Sequence, residues 1–123
     1  MDIKNEQDFK TEKISIPNGT YQATLTDIRR FDNAYGNRLG FEFTLLGGQL
    51  DGQRVMQSTS PNLSAQSKLA ELLQGLLGRE LDDQELMQGI DADGLVGTDC
   101  NVLVLQTRAK SGQFYSNVEK VFI

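Results

Sequence analysis

The stretch from residue 19 to residue 59 constrains the fold most, because apolar and polar residues alternate there in short runs separated by turn signals. An alternation of period two places one set of side chains on a buried face and the other set outward. The apolar sets are Tyr21, Ala23 and Leu25 in the first run and Leu39, Phe41, Phe43 and Leu45 in the second, and a weaker third run covers residues 54–59. Residues 34–37 and 47–52 form the connections. The pattern predicts a three-stranded antiparallel meander.

The first strand of this meander is expected to be curved. It should begin at Thr20 and run to about Phe31, and its apolar phase slips by one residue between Leu25 and Ile28. Such a slip is typical of a β-bulge, which bends a strand so that it can belong to two sheets of a small barrel. The sequence therefore favours closure of the sheet over a flat sheet.

Helices are expected after the third strand. Five leucines recur with helical spacing and would line the apolar side of a helix at about residues 64–77: Leu69, Leu72, Leu73, Leu76 and Leu77. Asn62 or Ser64 is the expected N-cap, and Gly78 the expected end. Asp82 followed by Glu85 has the spacing of a capping box and predicts a second, short helix.

Two further strands complete the expected fold. Residues 100–105 are apolar on both sides, as in a central strand, and residues 114–123 alternate again after a turn at Ser111-Gly112. Residues 1–13 are mostly polar and of mixed charge and contain few large apolar groups such as Phe9, so we expect a flexible N-terminal arm there. Residues 14–123 should then form a single domain, the usual outcome for a chain of 123 residues.

Composition excludes several classes of function. The chain has no histidine, so a nucleophile-histidine triad is impossible and the commonest metal ligand is absent. The single cysteine, Cys100, rules out an intramolecular disulfide and is expected to be a small buried hydrophobe. Neither a membrane helix nor a secretory signal is visible, which predicts a cytoplasmic protein. We expect no enzyme activity, no cofactor and no metal.

Charge is distributed unevenly along the chain. The formal net charge of −5 argues against a polyanionic partner, since Lys and Arg supply most of the affinity for nucleic acid. However, residues 29–38 carry three arginines against one aspartate, and residues 108–120 carry three cations against one glutamate. Residues 79–99 hold seven carboxylates against one arginine. Cations are therefore concentrated at two predicted hairpins, although a mixed, solvated surface would look similar.

The order of elements resembles that of the OB-fold, a five-stranded Greek-key barrel with a helix between strands 3 and 4, which binds oligonucleotides. More closely, the chain resembles the compact single-stranded DNA-binding proteins of phages and mobile elements. The stretches that carry this resemblance are NGTYQATLTD at 18–27, YGNRL at 35–39, FEF at 41–43, SKL at 67–69, LGR at 77–79, LVG at 95–97 and CNV at 100–102. The resemblance implies a mainly β, OB-fold-like domain that binds DNA.

Single-strand binding needs exposed rings for base stacking and cations for phosphates. The expected rings are Phe31, Tyr35, Phe114 and Tyr115. The expected cations are Arg29, Arg38, Arg54, Arg108 and Lys110. Phe114 and Tyr115 are neighbours and should face opposite ways, so one of them is expected at the surface, and the sequence does not say which. An OB-fold would bring the two hairpins that carry most of these residues together.

These observations predict sequence-nonspecific binding of single-stranded DNA, with RNA left open, in replication or recombination. Homo-oligomers and contacts with replication or recombination enzymes stay open, although recruitment by an acidic C-terminal tail is not expected from the ending Val121-Phe122-Ile123. The first alternative is a protein-interaction module of the same fold without nucleic-acid binding. The second, a magnesium-dependent nuclease, would use Asp91, Asp93 or Asp99, which look like loop and turn formers.

Overall fold

A computed structural model describes residues 16–34 and 36–123. Its strands are β1 (Gly19–Asn33), β2 (Gly36–Leu45), β3 (Arg54–Thr59), β4 (Asp99–Arg108) and β5 (Phe114–Phe122). Its helices are α1 (Lys68–Leu77) and α2 (Asp83–Gln88), with single 3₁₀ turns at Gly48–Leu50 and Ala92–Leu95. The expected arm at residues 1–13 and the first residues of the expected domain lie outside the described residues.

The five strands form one antiparallel sheet in the order β3-β2-β1-β4-β5. Strands β1 to β3 are the predicted meander, and β4 returns through the helices to pair with the other side of β1, as in a Greek key. Within the described residues no ladder joins the edge strands β3 and β5, but they approach each other within 8 Å between Cα atoms. The predicted mainly β, OB-fold-like architecture, with helices between the third and fourth strands, is confirmed, but in the described residues the sheet is not closed by hydrogen bonds between β3 and β5.

The register of β1 explains where the core lies. Leu25 pairs with Phe43 and Ile28 with Phe41, and the register shifts between Leu25 and Asp27, which confirms the predicted bulge. The bulge keeps apolar residues on the inner face on both sides of the bend. The largest fully buried apolar side chains come from four strands: Leu25, Phe41, Phe43, Leu45, Val102, Val104 and Val118. Cys100 is also buried, as expected, and burial raises the pKa of its thiol to about 11.

Helix α1 begins later than its sequence pattern predicts. Ser67 is its N-cap and accepts a hydrogen bond from the Ala70 backbone N at 3.0 Å, so the expected caps Asn62 and Ser64 are wrong. The chain before Ser67 forms a turn instead, in which the Ser67 backbone N donates to the Ser64 carbonyl. The apolar stripe of the helix starts at Leu69. The predicted end at Gly78 is confirmed, in the left-handed conformation that favours glycine.

Packing of α1 predicts a measurable cost for Leu73→Ala. Leu73 lies in the core with 2% of its surface exposed. Truncation of a buried leucine removes apolar contacts and leaves a cavity, so we expect the free energy of unfolding to fall by about 2–5 kcal/mol. Urea unfolding measures this change. A loss below about 1 kcal/mol would mean that the side chain is not part of a tightly packed core.

Helix α2 has the predicted capping box. The Asp82 carboxylate accepts from the Glu85 backbone N, and the Glu85 carboxylate accepts from the Asp82 backbone N. Both Nη atoms of Arg79 also donate to Glu85, at 2.8 and 2.7 Å. Hydrogen bonding from Arg79 has the largest effect on Glu85, and the bond from the Asp82 backbone adds to it. Together they lower the pKa of Glu85 from its ordinary 4.5 to about 2.

The lowered pKa of Glu85 predicts a pH dependence of stability. The unfolded chain takes up the proton at a higher pH than the folded chain, so acid favours unfolding. The contribution of ionised Glu85 to the free energy of unfolding is therefore complete above pH 4.5 and is lost as the pH falls toward about 2. Glu85→Gln should make the melting temperature depend less on pH over this interval. Glu80→Gln, at an exposed site, should leave the pH dependence as it is in the parent. An equally steep acid limb in the Glu85 variant would contradict the assignment.

None of the helices in residues 16–34 and 36–123 has both the length and the apolar character needed to cross a membrane.

Candidate nucleic-acid interface

The outward side chains of β1, β2 and β3 form one continuous surface, which we call the outer face. Paired residues on neighbouring strands point to the same side of a sheet. The register pairs Phe31 with Arg38 and Arg29 with Gly40 across β1 and β2, and Gly40 with Ser58 across β2 and β3. The outer face comprises Asp27, Arg29, Phe31, Arg38, Gly40, Glu42, Thr44, Arg54, Met56 and Ser58. Four of the expected site residues, namely Arg29, Phe31, Arg38 and Arg54, therefore share this face.

Gly40 allows an aromatic ring and a thioether to lie over the middle strand. A Cβ atom at this position would stand 3.1 Å from Phe31 Cε1 and 3.2 Å from Met56 Sδ, which is tighter than nearly all real Cβ contacts. Gly40 is buried although it faces outward, because these two side chains cover it. Phe31 keeps 37% of its surface exposed. Phe31, Gly40 and Met56 together form a small apolar surface that we call the platform.

Arg38 lies beside the platform and has neutral partners. Its Nε donates to Ser58 Oγ at 3.1 Å, and its Nη2 donates to the Ser58 carbonyl at 3.2 Å. Arg38 has no ion pair with a carboxylate in the described part of the chain. The guanidinium is thus held in place, and no carboxylate among residues 16–34 and 36–123 pairs with its positive charge.

Arg29 differs from Arg38 because two carboxylates hold it. Its Nε lies 2.9 Å from Asp27 Oδ2, and its Nη2 lies 3.2 Å from Glu42 Oε2. The hydrogen bond from Arg29 lowers the pKa of Asp27, so Asp27 is ionised at neutral pH. Asp27, Arg29 and Glu42, which we call the acidic triad, carry a net charge of −1. The Arg29 guanidinium is therefore less available to an anionic ligand than that of Arg38.

Arg54 lies at the far end of the outer face from Arg38. It pairs with Thr44, six residues along β2 from Arg38, which corresponds to about 20 Å along the strand. Arg54 is exposed and has no ion-pair partner within residues 16–34 and 36–123. The outer face thus carries a cation at each end and the acidic triad between them.

The remaining expected residues lie on the β4–β5 hairpin. Phe114 pairs with Arg108, whose guanidinium carbon lies 5.8 Å from the centre of the Phe114 ring, a cation–π distance. Phe114 and Tyr115 are 63% and 50% exposed, so both rings are at the surface and not only one. They face opposite ways because they are neighbours in a strand, and both are exposed because the hairpin extends beyond the last core pair. Lys110, in the turn, is also exposed.

The β1–β2 hairpin and the β4–β5 hairpin lie at opposite ends of β1. Strand β4 pairs with β1 over residues 19–24, so the β4–β5 hairpin extends past the start of β1. The β1–β2 hairpin follows Asn33, at the end of β1. No strand pairing places the two hairpins side by side in the described part of the chain. Tyr35 lies outside the described residues, and its expected stacking role remains a prediction from the sequence.

Six residues of the outer face were not expected from the sequence as parts of a site, among them Gly40, Met56 and Ser58, which form the platform or hold Arg38. Each depends on cross-strand register, which brings together positions far apart in the chain. The available signal was a glycine in the centre of an alternating strand, which often marks a close approach. Gly40 in the run of residues 39–45 has that position.

Acidic side chains do not assemble into a metal site in the described residues: no group of three or more His, Cys, Asp or Glu could hold an ion there. Asp99 accepts a hydrogen bond from Thr24 Oγ1 at 2.7 Å, so it has a structural partner. Asp91 precedes the 3₁₀ turn, and its carbonyl accepts from the Gly94 backbone N. Asp99 is thus engaged across the sheet, and Asp91 takes part in a turn through its backbone.

Comparison with protein-family models and with curated proteins finds no match for this sequence. The chemistry of the outer face is therefore taken from its own side chains. An exposed ring, a thioether and a guanidinium without an acidic partner offer stacking and charge for a ligand.

Proposed function

We propose that this chain binds single-stranded DNA with little sequence preference, through the outer face of β1, β2 and β3. The observation that carries the proposal is the platform of Phe31 and Met56 over Gly40, with Arg38 directly beside it. A coating role in replication or recombination, as in the compact phage and mobile-element proteins that the sequence resembles, would use such a surface. RNA is the related ligand that the same chemistry would accept.

Stacking explains why the ligand should be single-stranded. Every base has a flat π-face, and a base stacked on an exposed aromatic side chain contributes about 1–3 kcal/mol regardless of its identity. In a duplex these faces are already stacked on one another. Phe31 offers its ring from a stiff strand, and the polarizable Met56 thioether can adapt to different bases. The platform therefore suits an unpaired base.

Charge explains how the strand would be held. An arginine has five N–H donors, and Ser58 takes two of those of Arg38, so three remain for a phosphate. Fixing the guanidinium in advance lowers the entropy lost on binding. On the β4–β5 hairpin, Arg108 and Lys110 with Phe114 and Tyr115 supply the same two kinds of group. We propose this hairpin as a second contact for a longer strand.

The two arginines of the outer face provide a matched test. Arg38→Ala should weaken binding of oligo-dT at low salt and reduce the magnitude of the salt slope by about 0.7, the single-strand value for one phosphate contact. Arg29→Ala should leave the slope nearly unchanged, because Arg29 is bound by Asp27 and Glu42 and contributes no phosphate contact. Fluorescence titration at several salt concentrations measures both variants. An equal change of the salt slope in the two variants would contradict the assignment of Arg38 as the phosphate ligand.

The same titration separates the proposal from its main alternative. A protein-interaction module of this fold would leave single strands unbound even at low salt, where phosphate contacts are strongest. Circular dichroism of each variant confirms folding before its affinity is interpreted. Binding by the parent that weakens with salt would support the proposed function.

A further inference from the structure

The acidic triad occupies the centre of a face that the proposed function assigns to a polyanion. Glu42 pairs with Asp27 on one side and with Met56 on the other, and Arg29 pairs with Gly40. The triad therefore borders the platform directly. Glu42 is the most enclosed member, with 13% of its side chain exposed, and Arg29 anchors it at 3.2 Å. A negative charge is thus fixed beside the surface on which a base would stack.

A single strand can avoid this charge. Its backbone is flexible, so one base can stack on Phe31 while the neighbouring phosphate turns toward Arg38. Glu42 lies four residues from Arg38 along β2, about 13 Å, which leaves room for that arrangement. The single strand therefore gains stacking and one phosphate contact without placing a phosphate over the triad.

A duplex has no such freedom. It carries one negative charge per about 1.7 Å of its axis and is stiff over distances far longer than this face. Lying across the outer face, a duplex would bring phosphates over Asp27 and Glu42, and its bases would be unable to reach Phe31. It would therefore meet the repulsion of the triad without the stacking that offsets it.

We infer that the acidic triad is the specificity determinant that excludes duplex DNA from the outer face. Glu42 and Asp27 repel the phosphates that only a rigid duplex must place at the centre, and Arg29 positions both carboxylates. The inference rests on the proposed function, since it concerns which form of DNA the same face accepts. It also gives a physical role to the two carboxylates that surround Arg29.

The test compares a labelled oligo-dT with a labelled duplex of the same length, by fluorescence anisotropy at low salt. Glu42→Gln removes the charge but keeps an oxygen that can accept from Arg29. We expect it to raise duplex affinity by about fivefold or more, the size of one like-charge contact, and single-strand affinity by about twofold or less. Asp27→Asn, at a more exposed position, should likewise raise the duplex affinity more than the single-strand affinity.

Glu80→Gln is the matched control, because it changes the net charge by the same amount outside the outer face. It should leave the ratio of single-strand to duplex affinity unchanged. An unchanged ratio in Glu42→Gln and Asp27→Asn, or an equal change in Glu80→Gln, would overturn the inference while the parent's binding of oligo-dT would still support the proposed function. A parent that does not bind oligo-dT would overturn both.

Discussion

Gly75→Ala is expected to lower the free energy of unfolding by about 3 kcal/mol or more, although alanine favours a helix over glycine by about 1 kcal/mol. The reason is the close packing of α1 on β5. A Cβ atom at Gly75 would overlap the carbonyl group of Val121, which is backbone and cannot rotate away. The helix or the strand would have to move, and the core leucines of α1 would move with it.

Urea unfolding of the Gly75 variant measures this effect, and Gly19→Ala is its matched control. The atoms nearest to a Cβ at Gly19 would belong to the Tyr21 side chain, at ordinary distances of 3.5 Å and above. The control should therefore keep nearly the parent stability. If Gly75→Ala were as stable as the parent, α1 could not pack against Val121 as described, and the placement of the helix on the sheet would be wrong.

Phe31→Ala is expected to weaken binding of single-stranded DNA by about 1–3 kcal/mol, which corresponds to about 5- to 150-fold. The substitution removes a stacked base without releasing an ion, so the salt slope should stay unchanged. Phe122→Ala is a suitable control, because Phe122 is 42% exposed but lies on β5, outside the outer face. Equal affinities of the Phe31 variant and the parent would place the DNA elsewhere.

A second substitution tests the platform from its opposite side. Gly40→Val adds a β-branched side chain that suits a strand but occupies the space of the Phe31 ring and the Met56 thioether. It should weaken binding in the same way as Phe31→Ala while the fold is retained. A Gly40→Val protein that is folded and binds like the parent would show that the platform is not the stacking surface.

Most of the fold could be predicted from patterns among residues close together in the chain. The apolar alternation of residues 39–45, the phase slip after Leu25 and the capping box at Asp82 each depend on neighbours in the chain, and the structure has all three features. The start of α1 was less predictable because several serine and asparagine residues could serve as caps. The turn between Ser64 and Ser67 decides that choice, and only the folded chain shows it.

The candidate site was less predictable than the fold because its properties come from pairing between strands. Arg29 and Arg38 look alike in the sequence, and the approach of Glu42 to Arg29 distinguishes them only once the register is known. The strand register likewise places Met56 next to Phe31, and the sequence does not show that they are neighbours. The exposure of both Phe114 and Tyr115 follows from how far one hairpin extends beyond the core, which depends on the lengths of paired strands.

The most direct test of the account is titration of the parent protein with labelled oligo-dT at low and high salt, together with Phe31→Ala under the same conditions. We predict that the parent binds at low salt, that its affinity falls as salt rises, and that Phe31→Ala weakens binding at both salt concentrations by a similar factor. Absence of binding by the folded parent at low salt would contradict the proposed function and favour the protein-interaction module.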